Sequence, residues 1–173
     1  MQYNIHPIFV HFPIALLSIY SIVVLIPFKK WLPRIAWHDI TCALLFFGVI
    51  GAFFALSTGE VAEHLTTQTN QLVEIHALFA TAATWIYSVL LIGALLNMGM
   101  VTDFLEKNRF LIRYQKHVTI VRNFLSNRYF VVVLSTSGFV AITIAGLLGG
   151  VMVYGTTADP FASIVLRLLQ IQL

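Results

Sequence analysis

Charged residues are what this chain has least of. Only 10% of its 173 residues are Asp, Glu, Lys or Arg, whereas 59% are hydrophobic and the mean hydropathy is +0.89. Ordinary soluble domains carry about 25% charged and roughly 45–50% apolar residues. A fold of this size leaves much of its surface exposed, so it cannot hide so large an apolar share from water. The composition excludes a soluble enzyme and a disordered chain, and it indicates an integral membrane protein.

Cysteine is nearly absent as well. The one cysteine, Cys42, excludes an intramolecular disulfide and a metal site built on paired cysteines. The chain also lacks a nucleophile with a placed base and a phosphate-binding glycine loop. The sequence therefore does not point to an enzyme.

Four apolar stretches are present, each near the roughly 20 residues that a helix needs to cross a bilayer. They predict spans at about 7–28, 40–57, 72–96 and 129–154, with a long loop at 97–128 and a tail at 160–173. The predicted fold is all-α: one domain over residues 1–173, an up-down-up-down bundle of four transmembrane helices with amphipathic segments at the interfaces.

The basic residues are concentrated in two loops. The first and third loops hold Lys29, Lys30, Arg34, Lys107, Arg109, Arg113, Lys116, Arg122 and Arg128, and only Arg167 lies elsewhere. The positive-inside rule makes these loops cytoplasmic, which predicts a bacterial inner-membrane protein with both termini outside. Topology thus accounts for the basic residues, and the expected partner is the lipid bilayer rather than a nucleic acid.

The third loop and the tail both show helical periodicity. In the loop, apolar residues such as Val118, Val121 and Leu125 alternate with basic ones, which predicts an amphipathic helix on the anionic inner leaflet. The tail carries a polar stripe that includes Arg167, and we expect it to lie flat on the outer surface or to pack on a partner.

Ionisable residues collect at the outer ends of the spans. His6 and His11 begin the first span, and His76 opens the third. Such residues are costly in a membrane and indicate a functional site. His11 and His76 lie about 6 Å and about 7.5 Å from the starts of their helices, so they share a depth. Two imidazoles on facing helices suffice as the axial ligands of a haem iron.

These histidines have a structural interpretation too: a buried imidazole that bonds to a neighbouring carbonyl or carboxylate holds helices together. With the haem interpretation, His11 and His76 bind the cofactor and His6 lies beside them. Glu60, Glu63 and His64 would share one helix face, a spacing that suits zinc or another metal ion. We favour a simpler prediction for Glu60, in which Ser57 and Glu60 form a capping box that starts a short surface helix.

Several motifs resemble a known family. Four features are similar to the pattern of a bacterial membrane-protein family called domain of unknown function 2231: the opening HPxxVHFPIALL from His6, the pair Thr58-Gly59, His76, and LGGxxVYG over Leu148–Gly155. The resemblance implies a four-helix membrane domain, sometimes found with redox modules such as Rieske-type domains, and carries no established activity. His6, His11 and His76 match the recurring positions of that pattern.

Two functions follow as hypotheses. The first is a redox or electron-transfer membrane protein that binds a b-type haem, or a metal ion, through histidines at the outer end. The alternative is a non-catalytic membrane anchor or assembly subunit of a larger complex, in which the histidines are structural. Under either hypothesis, the candidate partners are a membrane or redox protein and a second copy of this chain. Transport is a weaker third hypothesis, because the middle of the spans lacks charged residues.

Overall fold

The computed structural model describes residues 5–64, 71–98, 107, 112–157 and 159–171, without the side chains of His64 and Ile112. This part of the chain is helical and contains no strand, which confirms the all-α prediction. Its helices are α1 (His6–Leu25), α2 (Phe28–Trp31), α3 (Trp37–His64), α4 (Gln71–Asn97), α5 (Gln115–Leu125), α6 (Arg128–Tyr154) and α7 (Ala162–Leu168). A short 3-10 turn, Ile112–Tyr114, precedes α5.

Four of these helices, α1, α3, α4 and α6, are long and apolar enough to cross a membrane. Their most apolar stretches have mean hydropathies between 1.9 and 2.3. α1 begins with a proline in its first turn, where a missing N–H costs nothing, and it continues through Pro13. The spans predicted at 40–57, 72–96 and 129–154 lie within α3, α4 and α6, whereas the first, 7–28, runs three residues past the end of α1 at Leu25.

The second long helix corrects one prediction. α3 continues past Ser57 to His64 without a break, so no separate surface helix starts at Ser57 and the capping-box prediction is wrong. The Ser57 hydroxyl instead donates to the carbonyl of Phe53, 3.1 Å away in the preceding turn. Serine forms this bond inside a helix when no free N–H is nearby.

The four long helices form a ring. α1 packs most extensively on α3, and α4 on α6, while contacts between α3 and α4 and between α1 and α6 close the bundle. α1 and α4 are therefore diagonal to each other across the core. The buried core draws on all four helices and includes Leu17, Leu45, Tyr87 and Ile142.

Two shorter helices flank the ring at opposite ends. α5 packs on the last turns of α4, where a Cβ atom on Gly93 would lie 3.1 Å from Cβ of Leu125. α7 folds back onto the bundle's other end, where Ala162 and Leu166 are buried in a cluster with Leu148 of α6. The tail therefore packs on its own chain. The surface of α5 exposes Ile120, Val121 and Phe124, as expected for an amphipathic helix.

Candidate two-histidine site

The alternating directions of the long helices bring the starts of α1 and α4 together with the last turns of α3 and α6. We call this the histidine end, because it holds His6, Thr58, His76 and Gly149. The opposite end, with Lys29, Lys30, Arg122 and Arg128, is called the basic end.

At the histidine end, the imidazole rings of His6 and His76 face each other. Their centroids are 6.4 Å apart and their planes are perpendicular. His6 comes from α1 and His76 from α4, so the pair joins the two diagonal helices. Both residues are partly buried. A contact across the diagonal lies over the centre of the bundle rather than on its lipid-facing side.

His6 hydrogen-bonds to α3, and its bond to Thr58 indicates which ring nitrogen carries the hydrogen. Its Nδ1 lies 3.1 Å from Oγ1 of Thr58. That hydroxyl donates its only hydrogen to the carbonyl of Ala55, at 3.0 Å. Thr58 therefore accepts a hydrogen bond from His6 Nδ1–H. In the neutral ring the lone pair then lies on Nε2, the usual ligating nitrogen in this arrangement.

His76 is oriented in the same way. Its Nδ1 is 2.9 Å from the backbone carbonyl of Ala145 on α6. A carbonyl can only accept a hydrogen bond, so Nδ1 carries the hydrogen and Nε2 carries the lone pair. Histidines that bind metals usually donate their second ring N–H to a carbonyl or another acceptor, which sets the tautomer and orients the ring.

Two glycines give the rings the room they occupy. A Cβ atom on Gly59 would lie 3.1 Å from Cε1 of His6, and one on Gly149 would lie 3.3 Å from Cε1 of His76. Both distances are shorter than comfortable carbon–carbon contacts. Each imidazole thus packs against helix backbone that has no side chain at that point.

His11, one of the two predicted haem ligands, lies elsewhere. It is exposed, and its Nδ1 donates to the carbonyl of Pro7 in its own helix. His6 and His11 are five residues apart, so they point in directions about 140° apart around the helix axis. The structure brings His6, rather than His11, to the ring of His76. His6, which the sequence predicted to lie beside the ligands, thus takes the place predicted for His11.

Glu60, Glu63 and His64 lie on the last turns of α3. Glu60 is exposed and Glu63 is partly buried. Within the described part of the chain, no three His, Cys, Asp or Glu side chains lie close enough to hold a metal ion. The side chain of His64 lies outside the described residues, so the proposed metal set stays a prediction.

The site residues predicted from the sequence do not include the groups that orient and surround the two imidazole rings. Thr58 orients His6, the Ala145 carbonyl orients His76, and Gly59 and Gly149 accommodate the rings. Three of these residues, Thr58, Gly59 and Gly149, belong to the sequence motifs shared with the family. Their motifs lie far apart in the sequence, but the fold brings both next to the histidines.

The fold and this site define a class: a polytopic four-helix membrane protein with a histidine pair at one end of the bundle. The chain matches a family described as predicted membrane protein, DUF2231, over residues 2–159. It belongs to that family. Comparison with curated proteins and with solved structures found no match.

Proposed function

We propose that this chain is a redox membrane protein that binds a b-type haem between His6 and His76. The observation that carries the proposal is the 6.4 Å between the two ring centroids. Two imidazoles on opposite sides of one metal ion, each with a metal–nitrogen distance of about 2 Å, have centroids roughly 6 Å apart. The tautomers add support, because Nδ1 is the hydrogen-bond donor in both rings.

The number of ligands favours haem over a bare metal ion. A structural zinc ion takes four protein ligands, and no cluster of three or more metal-binding side chains is found among the described residues. A haem iron needs only two axial ligands from the protein. A bound haem would supply one-electron chemistry. If a haem is bound, His6 and His76 would hold it, and Thr58 and the Ala145 carbonyl would fix the orientation of the two rings.

An optical spectrum tests the proposal. The full chain is purified in mild detergent from a bacterial host supplied with a haem precursor. We expect a Soret band that shifts on reduction with dithionite. His6→Ala and His76→Ala should each lose the band or convert it to a five-coordinate spectrum, whereas the matched control His11→Ala should keep the parent spectrum. Added imidazole should restore the six-coordinate spectrum of His76→Gly.

The alternative hypothesis defines the opposite outcome. A well-folded helical protein without a Soret band, or a band that both single variants retain, would overturn the haem proposal. The non-catalytic anchor would then be the better hypothesis, with the two histidines as a helix-to-helix contact. Circular dichroism and gel filtration of each variant separate loss of cofactor from loss of fold.

We further propose that the histidine end faces the outside of a bacterial inner membrane. The support is the concentration of Lys and Arg at the basic end, which the positive-inside rule places in the cytoplasm. In a Cys42→Ser background, Thr156→Cys should react with an impermeant maleimide on spheroplasts. Asn123→Cys on α5 should react only after lysis. The reverse labelling pattern would overturn this orientation and place the histidine end in the cytoplasm.

A further inference from the structure

The basic end contains a second feature, which is a cavity on the axis of the bundle. Its volume is about 180 Å³, and all four long helices contribute to its wall. The end of α5 covers part of it through Leu125 and Ser126, and Ser126 accepts a 2.7 Å hydrogen bond from Asn97. None of the residues proposed to hold the haem lines this cavity.

The wall of the cavity is divided into an apolar part and a polar rim. Leu45 and Leu90 are buried core residues, and Val24, Ala94 and Val131 extend the same apolar wall. The rim holds His38, Thr41 and Asn97, of which His38 and Asn97 are exposed. A ligand here would place an apolar body inside the bundle and polar atoms at the rim.

Two polar side chains reach deeper than the rim. Tyr20 is 4% exposed, and Cys42 is 8% exposed. The Cys42 sulfur lies 3.8 Å from Nε2 of His38, one helical turn earlier. Cys42 and His38 would give a metal ion only two ligands, whereas a structural zinc ion takes four. No Lys, Arg, Asp or Glu is found among the described residues of the lining, so the cavity suits an uncharged ligand.

The volume limits the size of that ligand. An enclosed apolar cavity of about 150 Å³ holds one benzene molecule. The cavity at the basic end, of about 180 Å³, opens at its rim, so it accommodates a six-membered ring whose substituents extend into the opening. Donors at the rim suit a ring that carries hydrogen-bond acceptors at its edge, and Tyr20 forms part of the inner wall. The membrane contains one abundant class of neutral, lipid-soluble rings of this kind, the quinones.

We propose that the cavity at the basic end binds the head group of a quinone. The ring lies between the apolar walls formed by Leu45, Leu90 and Val131. One carbonyl oxygen accepts a hydrogen bond from the rim at His38, and the other faces Tyr20. The proposal concerns binding alone and does not depend on a haem at the histidine end.

The single cysteine provides the readout, because Cys42 lines the cavity and no other thiol competes for the label. The full chain in lipid nanodiscs is treated with N-ethylmaleimide, and the rate of Cys42 modification is followed by intact-mass spectrometry. Tetramethyl-1,4-benzoquinone is the probe, because its four methyl groups block thiol addition to the ring. We expect it to slow the modification in a saturable manner.

Two pairs of variants locate the binding site. Ala94→Leu fills the cavity and should abolish protection, whereas the control Ala82→Leu, on the same helix but outside the lining, should not. His38→Leu should weaken apparent affinity about fivefold, the fold change that one neutral hydrogen bond supports. His117→Leu, at an exposed histidine of α5, should leave it unchanged.

Ligand selectivity decides the outcome. Tetramethylbenzene has the same shape without the carbonyl oxygens, and we expect it to protect Cys42 far more weakly. Equal protection by both compounds, or no protection by the quinone, would overturn the proposal. The His6→Ala and His76→Ala proteins should still bind the quinone, so failure of the haem proposal and failure of this one are distinguishable.

Discussion

The hydroxyl oxygens of Tyr87 and Ser21 lie 2.7 Å apart in the buried centre of the bundle. Ser21 donates its hydrogen to the carbonyl of Ser135, at 3.3 Å, so Tyr87 is the donor in the bond between the two hydroxyls. The bonds connect α1 with its diagonal neighbour α4 and with α6. Ser21 and Tyr87 are fully buried, so water does not compete for these bonds.

Removal of the Tyr87 hydroxyl should destabilise the bundle modestly. Tyr87→Phe deletes the donor and leaves the Ser21 oxygen short of a partner. We expect a loss of about 0.5–1.5 kcal/mol in unfolding free energy, the usual net contribution of one hydrogen bond in a protein, which includes the average of about 0.6 kcal/mol between membrane helices. Unfolding in mixed micelles provides the measurement. Tyr129→Phe, at a residue that is 83% exposed, is the control and should have no effect; equal losses would contradict the prediction.

A side chain at Gly48 should disturb the contact between α1 and α3. A Cβ atom there would lie 2.5 Å from Cδ2 of Leu17, which is itself fully buried. Gly48→Ala should cost about 1–3 kcal/mol, as overpacking usually does. The same change should cost less in a Leu17→Ala background, because the space is then open. Gly150→Ala should be close to neutral, because no described atom outside the adjoining backbone of its own helix lies within 4 Å of the added Cβ.

The Thr58 hydroxyl should act as a positioning group for His6. Thr58→Val keeps the shape of the side chain but removes the acceptor for His6 Nδ1–H. If the proposed haem binds, its affinity should fall about 10–100-fold, as when other metal-supporting hydrogen bonds are lost. Thr58→Ser should retain most of the affinity, measured by haem titration of the apoprotein. A serine variant as weak as the valine variant would contradict this role.

The start of α6 should depend on its cap. Oδ1 of Asn127 accepts hydrogen bonds from the backbone N–H groups of Tyr129 and Phe130, at 2.9 and 3.4 Å. Asn127→Ala leaves these donors to the solvent and should cost about 1 kcal/mol. Asn127→Asp keeps the acceptor and should be nearly neutral. The midpoints of thermal unfolding compare the two variants, and an alanine variant as stable as the parent would show that the cap contributes nothing.

The candidate site was predicted in part. The one-sided clustering of histidines predicted that they share one end of the bundle, and the structure brings the rings of His6 and His76 together there. The choice of His11 over His6 rested on depth along the helix axis. The position of a residue along a helix axis does not tell in which direction around the axis its side chain points. His6 and His11 differ by about 140° around the axis of α1, and this difference decides which imidazole lies next to His76.

The end of α3 shows why a short sequence pattern did not predict where this helix ends. The spacing of Ser57 and Glu60 fits a capping box, but the same residues fit the interior of a longer helix equally well. Packing of the last turns of α3 beside α1 decides between them, since Thr58 and Gly59 contact His6 there. Short capping patterns do not contain that long-range information.

By itself, the sequence determined that this protein is a four-helix membrane bundle, because runs of about 20 apolar residues admit few other structures in a bilayer. It also determined the family, through motifs near the helix ends. Only the tertiary structure decided that His6 faces His76 and that α7 folds back on the bundle. The same holds for the cavity that forms under α5. These features depend on how the helices are rotated about their axes, and that rotation is set by contacts between residues far apart in the chain.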